Sequence, residues 1–96
     1  MLQPNDIHAF TAASPISILY FKGDDCTVCH FLGPKVKQLE EELQVPLLEV
    51  DMPGNLHLAA TEMVLSVPVV KLYVEGREVW KEGAYLQPAA LQQQVE

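Results

Sequence analysis

Residues 16–36 read ISILYFKGDDCTVCHFLGPKV, and the order of their parts decides the fold. Ile16 to Phe21 is a nearly continuous apolar run with two β-branched and two aromatic residues, as expected of a central strand buried on both faces. Gly23, Asp24 and Asp25 break it. From Cys29 onward Leu32, Val36, Leu39 and Leu43 recur at steps of three and four, which is one apolar stripe of an amphipathic helix. Lys35, Lys37, Glu40, Glu41 and Glu42 fall on the opposite face as a solvated charge run. Pro34 lies inside this helix and cannot donate the bond that reaches back to the carbonyl of His30, so it is expected to kink or loosen the helix one turn after the cysteines.

Outward from this stretch, residues 5–13 predict a short helix with Asn5 as N-cap, Ile7 and Phe10 on one face, and Ser14-Pro15 as a stop. Residues 46–51 predict a second strand, parallel to the first because a helix of suitable length connects them. Pro53-Gly54-Asn55 turns the chain, and Leu56, Ala59, Ala60 and Met63 form a helical stripe behind Asn55 as the cap. Val69 to Val74 and Arg77 to Lys81 are β-rich runs joined by Glu75-Gly76, a two-residue hairpin turn. Pro88 at the first position of a last helix, followed by Ala90, Leu91 and Val95, closes the pattern. The order αβαβαββα predicts one α/β domain over residues 1–96, with a mixed sheet and helices on both faces.

The 96 residues carry a net charge of −7, which disfavours phosphate backbones and anionic lipid, so neither nucleic acid nor membrane is an expected partner. The longest early apolar run, residues 16–21, is too short and too late for a signal peptide or a membrane span, and the expected location is the cytoplasm. In a reducing compartment two cysteines do not make a structural framework, so the Cys26-Thr27-Val28-Cys29 pair leans toward catalysis or metal binding.

A helix beginning at the first cysteine puts Cys26 at its N-terminus, where unpaired N–H groups and the helix dipole favour a thiolate. Cys29 follows on the same face and points inward with Leu32 and Val36. Cys26 is then the attacking thiol and Cys29 the resolving one in dithiol–disulfide exchange, with no cofactor beyond the two sulfurs. Two rival readings are weaker. Cys-x-x-Cys-His, completed by His30, is also the attachment pattern of c-type haem, but that requires export. Zinc would find Cys26, Cys29 and His30 with His8 and His57 far off in sequence, whereas structural sites take four ligands.

The sequence resembles the thioredoxin family from Ile16 onward. The resemblance rests on the buried strand before CxxC, Pro34 eight residues beyond Cys26, Val50-Asp51, Ser66-Val67-Pro68-Val69, Glu75-Gly76 and Gly83. It implies a three-layer α/β/α sandwich whose four-stranded mixed sheet lacks the family's first edge strand, in the order 46–51, 16–21, 69–74, 77–81. It also implies that Pro68 follows a cis peptide bond beside the dithiol and that Val67 aligns the substrate backbone, with Thr27 and Val28 bordering the same groove. Implied partners are protein disulfide substrates and a thioredoxin reductase or other dithiol donor.

Departures from the family pattern are expected to tune the chemistry. Asp25 stands where the family has tryptophan, and Thr27-Val28 replaces Gly-Pro between the cysteines. Asp24 and Asp25 oppose the helix dipole by like-charge repulsion, which predicts a Cys26 thiol less acidic than in typical members. His30, where the family often has lysine, adds positive charge nearby when protonated. Tyr20 occupies the position of the family's buried acid, and Leu47 that of its lysine partner, so the proton of Cys29 must leave through water or another group. These departures leave open a second function class, a redox-sensing or partner-binding module without steady turnover.

Overall fold

The computed structural model describes residues 2–23, 26–64 and 66–83. Its elements are α1 (Pro4–Ala12), β1 (Ile16–Lys22), α2 (Thr27–Leu43), β2 (Leu47–Asp51), a 3-10 turn (Met52–Gly54), α3 (Leu58–Glu62), β3 (Val69–Val74) and β4 (Arg77–Glu82). The last expected helix, residues 88–95, lies outside the described residues. The strands form one mixed sheet in the order β2-β1-β3-β4, as the resemblance implies. β1 pairs parallel with β2 and antiparallel with β3, and β3 pairs antiparallel with β4. No strand lies outside β2 among the described residues.

Burial explains the arrangement. The five interior residues of β1 are all buried, so both of its faces need cover. On one face Ile18 and Tyr20, with Val70 and Leu72 of β3, pack beneath Leu32, Val36 and Leu39 of α2. Trp80 of β4 packs at the margin of this cluster. On the other face Leu19, Phe21, Val69 and Tyr73 pack against Ile7 of α1 and Leu58 of α3. Each fully buried aliphatic or aromatic side chain contributes about 1.5–3 kcal/mol of transfer free energy, so these two layers are the main source of stability. Pro34 does not end α2, which runs unbroken from Thr27 to Leu43 and stops at Gln44 in the left-handed conformation (φ 54°). Glu75 and Gly76 both have positive φ, 55° and 81°, the pair of conformations that a type I′ hairpin turn requires.

Two expected helix starts are corrected. The N-cap of α1 is Gln3, with Pro4 at the first helical position, because the Asp6 carboxylate accepts from the Gln3 N–H at 2.7 Å. Asn5, read as the cap, is the second residue of the helix. α3 starts at Leu58, not at Leu56, because the Asn55 side chain is used elsewhere. Its amide donates to the Asp51 carbonyl at 2.8 Å and accepts from the Leu2 N–H at 2.7 Å, tying residue 2 to the segment after β2. The stripe Leu56, Ala59, Ala60 and Met63 is therefore not the buried one. Leu56 and Met63 are 69% and 72% exposed, and Leu58 fills the core in their place.

Candidate functional site

The chain leaves β1 at Lys22 and enters α2 at Thr27, so Cys26 is the N-cap of α2 at the C-terminal edge of the central strand. Its Sγ accepts the Cys29 N–H at 3.1 Å. This is the hydrogen bond a capping side chain makes to an otherwise unpaired helix amide, here with sulfur in the role of oxygen. Cys26 and Cys29 are joined in a disulfide, with their Cα atoms 5.2 Å apart. Cys26 is half-buried, while Cys29 is only 6% exposed beside Leu32. A sulfur of an attacking molecule therefore reaches Cys26 first.

Gly23 explains how the second wall of the site approaches the pair. A Cβ on Gly23 would lie 3.0 Å from Val67 Cγ2 and 4.0 Å from Cys26 Cβ, so its missing side chain is the space through which Val67 meets the cysteine loop. In the sequence alone Gly23 marks only the end of a strand. The Val67–Pro68 peptide is cis, with Val67 half-buried and Pro68 buried. Gly23 has no positive φ, so Gly23→Ala tests the contact without backbone strain. We expect it to lower kcat/KM for a protein disulfide about threefold to tenfold by displacing Val67, while dithiothreitol reduces Cys26–Cys29 at the wild-type rate. A variant that keeps wild-type kcat/KM for the protein disulfide would show that Val67 is not part of the contact surface.

Thr27 and Val28, the two residues between the cysteines, are exposed at the helix start. Phe31, one turn on from Thr27, is 71% exposed, and with Val28 it extends an apolar edge beside the disulfide that no sequence pattern marks. His30 and Pro34 are exposed on α2. His30 and Pro34 also line a cavity of about 560 Å³ together with Tyr20, Cys29, Lys22 and Glu49, so the buried cysteine faces solvent-accessible space on the β2 side. Asp51 lines it as well. Asp24 and Asp25, expected to raise the Cys26 thiol, lie outside the described residues. Among the described residues no group of three His, Cys, Asp or Glu side chains is placed to hold a metal ion.

Tyr20 sits under the pair. Its hydroxyl is buried and donates to the Cys29 carbonyl at 3.0 Å, fastening the first turn of α2 to β1. Leu47, matched in sequence to a lysine, packs half-buried against the α2-side core. A carboxylate does enter the neighbourhood from another position: Glu49 is the register partner of Tyr20 across β1 and β2 and pairs with Lys22 at 3.1 Å. Both members of that ion pair are about one-third exposed, so it adds at most about 1 kcal/mol.

Burial, and then the Glu49 charge, push the Tyr20 hydroxyl above the ordinary tyrosine value. Tyr73 is raised further by burial, by the charge of Glu62, by its hydrogen bond to Glu62 and by Glu78. Both phenols hold their protons more tightly folded than unfolded, so this stability is full below about pH 10 and is lost as pH climbs above it. In an alkaline titration phenolate absorbance from Tyr20 and Tyr73 is expected to appear together with the loss of far-ultraviolet circular dichroism. Ionisation of both well before unfolding would contradict this.

Comparison with known proteins agrees with this geometry. The family model described as Thioredoxin matches residues 5–96. The thioredoxin-like protein YdfQ of Bacillus subtilis (strain 168) is 26% identical over 90 residues, covering 93% of this chain and 80% of the relative. A mutant thioredoxin from Halobacterium salinarum NRC-1 superposes with a TM-score of 0.90 at 24% identity, covering 100% of this chain and 85% of the other. Fasciola hepatica thioredoxin gives 0.79 at 22% identity, covering 95% and 86%. With the family's pattern running from α1 onward and its cysteine pair closed in a disulfide at the start of α2, this chain belongs to the thioredoxin family.

Proposed function

We propose that the protein is a thiol–disulfide oxidoreductase that reduces protein disulfides through Cys26 and Cys29. The observation that carries this reading is the position of Cys26: a half-buried N-cap whose sulfur already accepts the Cys29 N–H. The same N–H and the helix dipole stabilise negative charge on that sulfur once the disulfide is reduced. The Cys26 thiolate attacks one sulfur of the substrate disulfide, and the other leaves as a thiolate. Cys29, deprotonated, then attacks Cys26 Sγ, the mixed disulfide breaks, and the second substrate thiolate departs. Two electrons pass from the dithiol to the substrate, and the protein is left with its internal disulfide. Protons reach the departing substrate thiolates from solvent, and the proton of the buried Cys29 leaves through the cavity it lines, where Glu49 and Asp51 stand as carboxylate acceptors.

Val67 and Pro68 border the substrate on one side of Cys26, and Thr27, Val28 and the exposed Phe31 on the other. The closed disulfide is returned to the dithiol by a thioredoxin reductase or another dithiol donor in the cytoplasm. The test is reduction of insulin with excess dithiothreitol, with and without a thioredoxin reductase, against the uncatalysed rate. Catalysed turnover is the expected result. Tyr20 at the position of the family's acid favours the alternative of a non-turnover sensing module, and an internal disulfide that cycles without accelerating insulin reduction would establish that alternative.

A further inference from the structure

Lys71 is the one charged side chain buried in the middle of β3. It is 2% exposed, on the face of the sheet that carries α1 and α3. A buried ammonium costs several kcal/mol unless its donors are all used. Here they are. The ammonium of Lys71 donates to the main-chain carbonyl of Glu62, lies 2.7 Å from Glu78 Oε1 and 3.5 Å from Glu62 Oε1, and sits 5.5 Å from the centre of the Phe21 ring. Tyr73 donates to the same Glu62 carboxylate at 2.9 Å.

The register makes the arrangement more pointed. Lys71 is directly opposite Lys81 of β4, a like-charge pair that repels across a ladder. The second ammonium donates to the carbonyl of Met63 at 2.7 Å, so the two lysines hold consecutive carbonyls at the C-terminal end of α3. Those are the carbonyls that the end of a helix leaves without intrahelical donors, at the negative end of its dipole. Met63 is the left-handed cap (φ 55°), and the amide of Val64 returns to Ala59 at 2.9 Å. From this anchor only a few residues lead to Val67, which meets Gly23 and lies near Cys26.

We propose that Lys71 is a positioning residue of the exchange site: its ammonium, aided by Lys81, anchors the end of α3 and so fixes where Val67 and Pro68 stand against Cys26. This rests on the disulfide-reduction reading for its kinetic consequence and on geometry alone for the anchor. Glu62 of α3 and Glu78 of β4 are the carboxylates that face the ammonium, and Tyr73 on the same strand as Lys71 donates to Glu62.

The test compares wild type with Lys71→Met and Lys81→Met. Lys81 is exposed, so its variant keeps the folded core even if Lys71→Met does not fold. For insulin, Lys71→Met is expected to raise KM about tenfold and Lys81→Met about twofold to threefold, with kcat within about twofold, because ground-state contact is lost and the reacting sulfurs are not touched. Reduction of Cys26–Cys29 by dithiothreitol stays at the wild-type rate. Amide exchange at Met63 and Val64 accelerates about tenfold, while that at Leu19 and Phe21 is unchanged. The proton nuclear Overhauser effect between Gly23 and Val67 weakens in both variants. Exchange that rises equally in β1, or an unchanged KM with an unchanged Gly23–Val67 effect, would overturn the proposal and leave Lys71 as a contributor to global stability only. A wild type that fails to reduce insulin would count against the disulfide-reduction reading, and the amide exchange and the Gly23–Val67 effect would then decide on Lys71 by themselves.

Discussion

Cys26→Ser is expected to reduce insulin no faster than dithiothreitol alone, a loss of at least about a thousandfold in catalysed rate, since a serine hydroxyl at neutral pH does not replace a thiolate as attacking group. Structure should be little affected. The serine oxygen can accept the Cys29 N–H as an N-cap, which is the role Cys26 plays for α2 through its sulfur. What the variant does lose is the internal disulfide, so its stability is best compared with that of reduced wild type. Retention of more than about a tenth of the catalysed rate would remove Cys26 from the mechanism.

Cys29→Ser is expected to fail differently. The first attack still occurs, but the mixed disulfide between Cys26 and the substrate has no internal thiol to resolve it and accumulates. Steady turnover with excess dithiothreitol then depends on external attack at Cys26 and falls about a hundredfold. Mass spectrometry of the quenched reaction should show one substrate chain per protein, released by reduction. Failure to detect that adduct, with Cys26 shown to be free, would mean that Cys29 is not the resolving group. Because the trapped adduct keeps its partner through purification, the same variant is the direct route to natural substrates in a cell extract.

Fold and site are legible in the sequence to different degrees. A strand buried on both faces announces itself by an unbroken apolar run, and β1 and β3 are legible in that way, whereas the order of the sheet is legible only through the resemblance to the thioredoxin family. Cys26 and Cys29 were legible because few chemistries need two thiols at that spacing. Helix starts were not, because capping depends on which partner a polar side chain finds. Asn55 binds Leu2 and Asp51, and so α3 begins three residues later with Leu58 inward. Gly23 matters through a contact with Val67, more than forty positions along the chain, which local pattern cannot show. Lys71 is hidden for the converse reason: a single charge inside a β-rich run reads as a surface residue until the Glu62 carbonyl it serves is placed beside it.

The placement of β1 at the centre of the sheet has a consequence for how the protein is made. Its antiparallel neighbour β3 ends at Val74, more than fifty residues later, so the ribosome has synthesised most of the chain before that edge can close. Until then, α1, α2 and β2 are the companions available to a mostly apolar strand, and one flank offers bare N–H and C=O groups for any passing strand to join. High-level expression, where many nascent chains expose the same segment together, raises the hazard of inclusion bodies. Slower translation between residues 51 and 74 would lengthen that exposure, and a holding chaperone would cover the bare edge while it lasts.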